Sequence, residues 1–333
     1  MLELRKDPVT GRWVIISTER ALRPHDTTYD EYFSSEDEPC PFCYGNEKLT
    51  PPEILAFRPD GSARDTPGWT LRVVPNRFPA LRIEGELVRE GVGMYDKMSG
   101  VGAHEVIIET PHHDRNLTSL PVKNTEDLLW TFKYRMLDLE RDTRLKYVMI
   151  FKNSGSKAGA TLSHPHCQLI ALPVVCREVD DEIRGSSHYF DFKERCVFCD
   201  MIKQELNEGR RLVARSSLHV AITPFASRFP FEVWILPIRH SSRFEMSDAE
   251  EIKSAAEVLW TVLGMLSKVL CNPPYNFYLH NAPLRVTSLP HYHWHFEILP
   301  AVTTVAGFER GSAFYINPTP PEEAAEELRK IRT

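Results

Sequence analysis

The sequence lacks long hydrophobic runs and clusters of basic residues, and both absences narrow the classes of function. No stretch of about 18 apolar residues occurs, so we expect no membrane-spanning helix. The first residues, Met1 to Asp7, carry charges where a secretory signal needs an apolar core, which predicts a cytoplasmic protein. The net charge is −6 and no run of Lys or Arg is present, which argues against nucleic acid or a membrane surface as the main partner.

Cysteine is scarce as well, but its placement is informative. The chain of 333 residues has seven cysteines, and four of them form two Cys-x-x-Cys pairs, Cys40/Cys43 and Cys196/Cys199. In a large chain without a secretory signal, such pairs are more typical of metal sites than of disulfides. The length suits two domains, and a hydrophobic content of 42% can supply a core for both.

The most distinctive segment reads Ser163-His164-Pro165-His166-Cys167-Gln168 and continues into apolar residues as a strand would. Side chains of a strand alternate between faces, so His164, His166 and Gln168 are predicted to share one face. If one imidazole binds a metal, the other is free to attack an electrophile, since a histidine of pKa about 6.5 is largely unprotonated at neutral pH. On its own, the motif is more often a pair of hydrogen-bonded histidines on a half-buried strand.

The same series of features occurs twice along the chain. Cys196-Val197-Phe198-Cys199 repeats Cys40-Pro41-Phe42-Cys43, a helix predicted from Ser247 to about Val269 repeats one predicted from Thr125 to Asp142, and His291 to Pro300 repeats His164 to Pro173. Ser247 and Asp248, and Thr125 and Asp127, are the predicted helix caps. We predict an α+β fold of two tandem units, residues 1–178 and 179–333, each a mostly antiparallel sheet with a long helix. A polar segment from Cys176 to Glu194 joins them, and a last helix follows Pro320-Pro321.

Each Cys-x-x-Cys pair supplies two of the four ligands of a structural zinc site, so each unit needs two more. In the first unit, His113 and His164 are the natural partners of Cys40 and Cys43, with His104 and His112 as competitors for the place of His113. In the second unit, Cys196, Cys199 and His240 need a fourth ligand from His291, His293 or His295. The repeat alone favours His291, and it aligns His295 with Gln168.

Other polar residues suit a phosphate. Gln168 can donate an amide N–H to a phosphoryl oxygen without adding charge. The loop 153–161 is small and polar, which suits an approach of backbone amides to phosphate, although an ordinary connecting loop has the same composition. Arg20 and Arg23 can bind phosphates as guanidinium forks.

Taken together, these residues resemble the galactose-1-phosphate uridylyltransferase family of the histidine-triad superfamily. His164-Pro165-His166-x-Gln168 with the upstream Cys40/Cys43 pair carries the resemblance. It implies two histidine-triad-like units, a homodimer and a ping-pong reaction. In that reaction His166 attacks the α-phosphorus of a nucleoside diphosphate sugar and releases a sugar 1-phosphate, and a second sugar 1-phosphate then takes the nucleotidyl group.

The resemblance also assigns roles to individual residues. It implies His166 and Gln168 as catalytic residues, substrate contacts at Arg20, Arg23, Asn76, Asn153 and Thr161, one zinc site at Cys40, Cys43, His113 and His164, and a second at Cys196, Cys199, His240 and His293. The Arg20/Arg23 segment comes from the neighbouring subunit in that family. Because of its second Cys-x-x-Cys pair, the chain resembles a subgroup of that family that includes plant ADP-glucose phosphorylases. Gly311-Ser312-Ala313 stands where uridylyltransferases carry a tyrosine and a sugar-contacting glutamate.

The leading hypothesis is exchange of UMP between UDP-glucose and galactose 1-phosphate. An ADP-glucose phosphorylase, with inorganic phosphate as acceptor, is the alternative of the same chemistry. A nucleotide hydrolase is disfavoured, because hydrolases of this superfamily usually have a third histidine at the position of Gln168. A non-catalytic, zinc-stabilised binding protein is disfavoured by the acidic charge and by the lack of basic and aromatic clusters.

Overall fold

The computed structural model describes residues 2–19 and 39–331, and most of its strands form one large sheet. Its central strands are nearly continuous apolar runs, as expected for strands covered on both faces, and Val233–Pro237 is buried along its whole length. The strands in chain order are β1 Leu2–Lys6, β2 Trp13–Ser17, β3 Leu55–Phe57, β4 Leu71–Pro75, β5 Arg89–Val92, β6 Tyr95–Met98, β7 Ala103–Ile108, β8 Tyr147–Ser154, β9 His166–Leu172, β10 Leu212–Arg215, β11 His219–Ile222, β12 Val233–Pro237, β13 Tyr275–His280, β14 His295–Pro300 and β15 Tyr315–Asn317.

In the part of the chain that the structure describes, the large sheet has ten strands in the order β10-β11-β12-β14-β13-β8-β9-β7-β4-β3, and neighbouring strands pair antiparallel. The order reads as two five-stranded halves that meet at β8 and β13. Phe151 lies opposite Tyr278 across this junction, and these two residues lie opposite Gln168 and Glu297 in their own halves. An approximate two-fold axis therefore passes through the Phe151–Tyr278 pair. The predicted α+β fold with two related units is confirmed, whereas the boundary at residue 178 stays a prediction.

Within the described residues, six α-helices accompany the sheet: α1 Val122–Leu139, α2 Arg177–Lys193, α3 Val197–Glu208, α4 Ala249–Val269, α5 Gly307–Ser312 and α6 Pro321–Arg329. The two long helices, α1 and α4, pack together and bury their apolar faces with the sheet in the largest core. Asp248 caps α4 through a capping box with Glu251, as predicted. The predicted cap of α1 is wrong, because that helix begins at Val122 after Pro121 and Thr125 is buried within it.

The segment predicted as a polar connection contains the helix α2. Its charged residues form pairs one helical turn apart, such as Asp180 with Arg184 at 2.8 Å, while Val179 and Ser186 face the protein interior. The amino-terminal hairpin of β1 and β2 forms a separate small sheet with β15. Arg5 of this hairpin binds Glu322 at 2.9 Å, which ties the start of the chain to α6. Within residues 2–19 and 39–331, no helix has both the length and the apolar character needed to cross a bilayer.

Candidate active site and metal centres

The His-Pro-His motif lies where the chain enters β9. The strand begins at His166, so His164 precedes it, and the two rings serve different neighbours although both are buried. Nδ1 of His164 lies 3.7 Å from Sγ of Cys40 and 3.5 Å from Sγ of Cys43. Its Nε2 lies 2.7 Å from the Thr110 carbonyl oxygen and donates to it, which leaves Nδ1 with a free lone pair.

The first predicted metal set is assembled in the structure. Cys40, Cys43, His113 and His164 each offer one ligand atom, all within 4.8 Å of one another. Nδ1 of His113 lies 3.5 Å from Sγ of Cys43, and its Nε2 lies 2.9 Å from Ser163 Oγ. In a tetrahedral zinc site, Zn–S and Zn–N bonds of about 2.3 and 2.05 Å place sulfur and nitrogen about 3.5 Å apart, which matches these distances. Burial raises the pKa of Cys43 to about 11, so a metal would displace its thiol proton on binding.

The second predicted set, Cys196, Cys199, His240 and His293, is likewise assembled within 4.8 Å. Sγ of Cys199 lies 3.6 Å from Nδ1 of His240 and 3.3 Å from Nε2 of His293. Hydrogen bonds with Cys196 and with the two imidazoles lower the pKa of Cys199 to about 2, which favours the thiolate that binds metals. Both sets therefore fit a tetrahedral metal ion.

The fourth ligand suggested by the repeat alone, His291, is not part of this second set. Its Nδ1 lies 3.0 Å from Ser186 Oγ of α2. Since His293 takes the place of His164, the true register of the repeat differs by two residues from the one read from the sequence. His295 is then the counterpart of His166, and Glu297, rather than His295, is the counterpart of Gln168.

His166 is oriented from two sides. Its Nδ1 lies 2.8 Å from the carbonyl oxygen of His164 and donates to it, so Nε2 carries the free lone pair. The ring of Phe42, between the two cysteines, meets the His166 ring edge-on with centroids 5.3 Å apart. Burial lowers the pKa of His166, which keeps the ring neutral at pH 7 as a nucleophile requires. Phe42 was not predicted as a site residue, although its repetition as Phe198 was a signal in the sequence.

Gln168 follows His166 on the same face of β9, and His104 of β7 reaches it. Nε2 of His104 lies 2.9 Å from Gln168 Oε1 and 3.1 Å from Asn76 Nδ2. His104 is thus no competitor for the metal. His112 is absent from the assembled metal sets of the described residues as well, and its ring contacts Tyr44.

The end of β8, just before the loop of residues 155–161, brings a second amide to this face. Extending the register of Phe151 opposite Gln168 by two residues places Asn153 opposite His166. Asn276 of β13 donates to Asn153 Oδ1 at 2.8 Å. Gly155 opens the loop with φ of 84°, and a Cβ there would lie 2.9 Å from Cβ of Pro274, so only glycine fits. Thr161 is exposed on the same loop, whereas Arg20 and Arg23 lie outside the described residues.

The opposite face of β9 carries a buried ion pair. Nζ of Lys152 lies 2.5 Å from Glu109 Oε1, and the Cys167 thiol donates to the same oxygen at 3.0 Å. Burial lowers the pKa of Lys152, but the charge of Glu109 and the other neighbouring groups together raise it by more, so the amine is protonated. The corresponding residues of the second half are apolar: Leu279 for Lys152 and Pro237 for Glu109. The pair is therefore a feature of the half that carries His166.

A third group of potential ligands occupies the counterpart of the His166 region, and it was not predicted from the sequence. Glu182, His280, His295 and Glu297 are all buried, with one atom of each within 4.8 Å of the others. His280 Nδ1 lies 2.8 Å from Glu182 Oε1. Glu297 accepts from the Tyr278 hydroxyl at 2.7 Å and also contacts Arg228. The position of the second half that corresponds to His166 is thus enclosed in a network of buried charges.

Comparison with known proteins adds to this geometry. A family model described as the galactose-1-phosphate uridyl transferase N-terminal domain matches residues 1–175, and one for a domain of unknown function matches residues 95–332. ADP-glucose phosphorylase of Arabidopsis thaliana is 38% identical, with 99% of this chain and 93% of that protein covered. Galactose-1-phosphate uridylyltransferase of Thermotoga maritima is 32% identical, with 99% and 98% covered.

Solved structures show the same relationship. An ADP-glucose phosphorylase from Arabidopsis thaliana with bound ADP-glucose superposes with a TM-score of 0.85 at 36% identity, and each chain covers 100% of the other. A uridylyltransferase superposes with a TM-score of 0.77 at 29% identity, covering 99% of this chain and 98% of that one. These matches extend over both halves of the chain. The chain belongs to the galactose-1-phosphate uridylyltransferase family.

Proposed function

We propose that the chain is a nucleotidyltransferase that works through a covalent nucleotidyl-histidine at His166. Nε2 of His166 attacks the α-phosphorus of a nucleoside diphosphate sugar, the bond between that phosphorus and the bridging oxygen breaks, and a sugar 1-phosphate leaves. A phosphate oxygen of the acceptor then attacks the same phosphorus, and His166 regains its lone pair. The observation that carries this proposal is a buried, neutral imidazole whose Nδ1 is bonded to the His164 carbonyl, so that Nε2 is its only basic atom.

The metal sets support the nucleophile from outside the reaction. We infer that Cys40, Cys43, His113 and His164 hold one zinc ion, and that Cys196, Cys199, His240 and His293 hold another. A zinc ion at the first set would fix the backbone of His164, whose carbonyl in turn holds Nδ1 of His166. Zinc with four protein ligands has no open position for substrate, so its role in both places is structural.

Two pairs of substrates fit this chemistry. Transfer of UMP from UDP-glucose to galactose 1-phosphate is supported by the family model and by the relative from Thermotoga maritima. Transfer of AMP from ADP-glucose to inorganic phosphate is supported by the relative from Arabidopsis thaliana and by the structural match that holds ADP-glucose. Gly311-Ser312-Ala313 lacks the sugar-contacting glutamate expected of uridylyltransferases, which favours the second pair. The homodimer with Arg20 and Arg23 at the neighbouring site, the contact of Thr161 with substrate and the cytoplasmic location remain predictions.

Mass spectrometry of the intact protein tests the proposal. The protein is mixed with UDP-glucose or with ADP-glucose in the absence of an acceptor, and the mass of the adduct identifies the base. Galactose 1-phosphate or inorganic phosphate is then added, and the compound that discharges the adduct is the acceptor. We expect one nucleotidyl group per active site, discharged by only one of the two acceptors.

His166→Gly is the decisive variant. We expect it to keep the fold and to lose the adduct, while His112→Gly, an exposed histidine nearby, keeps both. Full turnover by His166→Gly contradicts the covalent mechanism. Steady release of free UMP or AMP without an acceptor indicates a hydrolase instead.

A further inference from the structure

Two amide side chains face the region around His166, and an amide can present either its oxygen or its NH2 group to a ligand. Which group is presented decides whether the surface attracts or repels the oxygens of a phosphate. In this structure, the orientation of each amide follows from a backbone group that can only donate or only accept a hydrogen bond. In each case one side chain lies between that backbone group and the amide.

The first sequence of contacts begins at Ala80. Its backbone N–H is a donor and lies 3.0 Å from Nδ1 of His104, so Nδ1 must be the acceptor nitrogen of that ring. The proton of the neutral imidazole is then on Nε2, which lies 2.9 Å from Gln168. Gln168 therefore accepts through its oxygen, and its NH2 group points away from His104. Asn76 makes no hydrogen bond with Nε2 of His104. Its Oδ1 accepts from Phe78 N–H, so the atom that faces His104 is Nδ2, which is a donor like Nε2–H.

The second sequence of contacts begins at Ala158. Its carbonyl oxygen is an acceptor and lies 2.8 Å from Asn276, so the atom of Asn276 at that position must be Nδ2. The other hydrogen of the same nitrogen is directed at Asn153, 2.8 Å away, which must accept it through Oδ1. The NH2 group of Asn153 is left beside Gly159, whose hypothetical Cβ would lie 3.7 Å from Nδ2. Asn276 belongs to β13, so the second half of the chain orients an amide of the first half.

We propose that His104 and Asn276 are positioning residues that turn the amides of Gln168 and Asn153 so that both present NH2 groups beside His166. The site then offers two neutral donors and no amide oxygen to the α-phosphoryl group. Because neutral donors carry no net charge, they bind negatively charged oxygens without attracting a counter-ion themselves. Donors that are held in place also need no reorganisation when charge develops during transfer. This inference rests on the proposed nucleotidyl transfer and adds the source of its phosphoryl contacts.

The first test changes His104. His104→Leu removes the donor to Gln168, and we expect formation of the nucleotidyl-protein in a single turnover to slow by about 10- to 100-fold. This is less than the roughly 100- to 1000-fold loss known for removal of one such donor, because Gln168 itself remains. His104→Gln can accept from Ala80 and donate to Gln168, so it should restore most of the rate. His112→Leu makes the same change at an exposed histidine and serves as the control.

A sulfur substitution shows whether the loss concerns the phosphoryl contact. The substrate is the nucleoside diphosphate sugar with sulfur in place of one non-bridging α-oxygen, used as two separate diastereomers. Sulfur accepts hydrogen bonds weakly, so wild-type protein should react more slowly with the diastereomer that places sulfur at the donor of Gln168. In His104→Leu that slowing should shrink, while the slowing for the other diastereomer stays as in wild type.

The second test reverses the other amide. Asn276→Asp keeps the shape but has only acceptors, so Asn153 would turn its NH2 group toward position 276 and its oxygen toward the substrate. We expect a loss of at least about tenfold in the single-turnover rate, with the sulfur effect reduced at the diastereomer that His104→Leu leaves unchanged. Asn272→Asp, on the exposed turn before β13, is the matched control.

The outcomes separate the two proposals. If wild-type protein forms no adduct with any nucleotide sugar, the proposed function fails and this inference fails with it. If wild-type protein forms the adduct and the variants keep its rate, the function stands and the positioning roles are wrong. If the variants are slower but both sulfur effects are unchanged, the two residues are merely structural, which also overturns the inference.

Discussion

The buried pair of Lys152 and Glu109 allows a quantitative prediction of stability. Lys152→Met removes the amine and leaves the Glu109 carboxyl buried without a charge partner, with only the Cys167 thiol still donating to it. A carboxylate in that position does not bear the whole cost of an unpaired buried charge, because it can take up a proton. The cost then depends on pH, and its size follows from the pKa of a glutamate in the unfolded chain.

Protonating a glutamate of unfolded pKa about 4.3 costs about 1.36 kcal/mol per pH unit above that value, which gives about 3.7 kcal/mol at pH 7 and about 1.6 kcal/mol at pH 5.5. The sign follows because the folded variant holds the Glu109 carboxyl with its proton, so the cost is absent at low pH and grows as the pH rises above the value at which a glutamate of the unfolded chain ionises. We therefore expect Lys152→Met to be destabilised by about 3.7 kcal/mol at pH 7, and by much less at pH 5.5.

Denaturant unfolding at the two pH values, with zinc held constant, measures both numbers. The double variant Lys152→Met with Glu109→Gln leaves no charge buried at this position, and we expect it to recover most of the lost stability. The second half supports this expectation, because it folds with Leu279 and Pro237 at the same two positions. A defect of Lys152→Met that is equal at pH 7 and pH 5.5, or that persists in the double variant, contradicts the reasoning.

Three further predictions concern other parts of the chain. Phe42→Ala should cost about 3–5 kcal/mol of stability and also slow adduct formation at His166, whereas Phe198→Ala should cost as much stability and leave adduct formation unchanged. Cys40→Ala should lose one metal ion per chain by elemental analysis and melt at a lower temperature, and wild-type protein treated with a chelator should melt lower as well. Burial lowers the pKa of His219 to about 4, so the stability it confers is present above pH 6.5 and is lost as the pH falls. Relative to His219→Leu, wild-type protein should lose about 2 kcal/mol between pH 7 and pH 5, measured by denaturant unfolding, and equal losses would contradict the buried neutral ring.

Much of the two Cys/His sets could be predicted from the sequence, because the Cys-x-x-Cys turns and the His-x-His pattern are local. The register of the second half could not, since His291, His293 and His295 alternate along one segment and only the packing shows which ring reaches Cys199. The roles of His104 and Asn276 were missed for another reason. Each lies on the strand next to that of its amide but far from it in the sequence, 64 residues from Gln168 and 123 from Asn153. No local pattern marks such contacts.

The position of the two-fold axis bears on how a protein of this kind can arise. Because the axis passes through an antiparallel pair of equivalent strands, two separate copies of one half could join by the same ladder that joins β8 to β13. A gene encoding a single half would then yield a symmetric dimer with a reactive histidine in each copy, and fusion would free the histidine of one copy to lose its reactivity. The charged cluster around His295 occupies the place where that lost reactivity would have been.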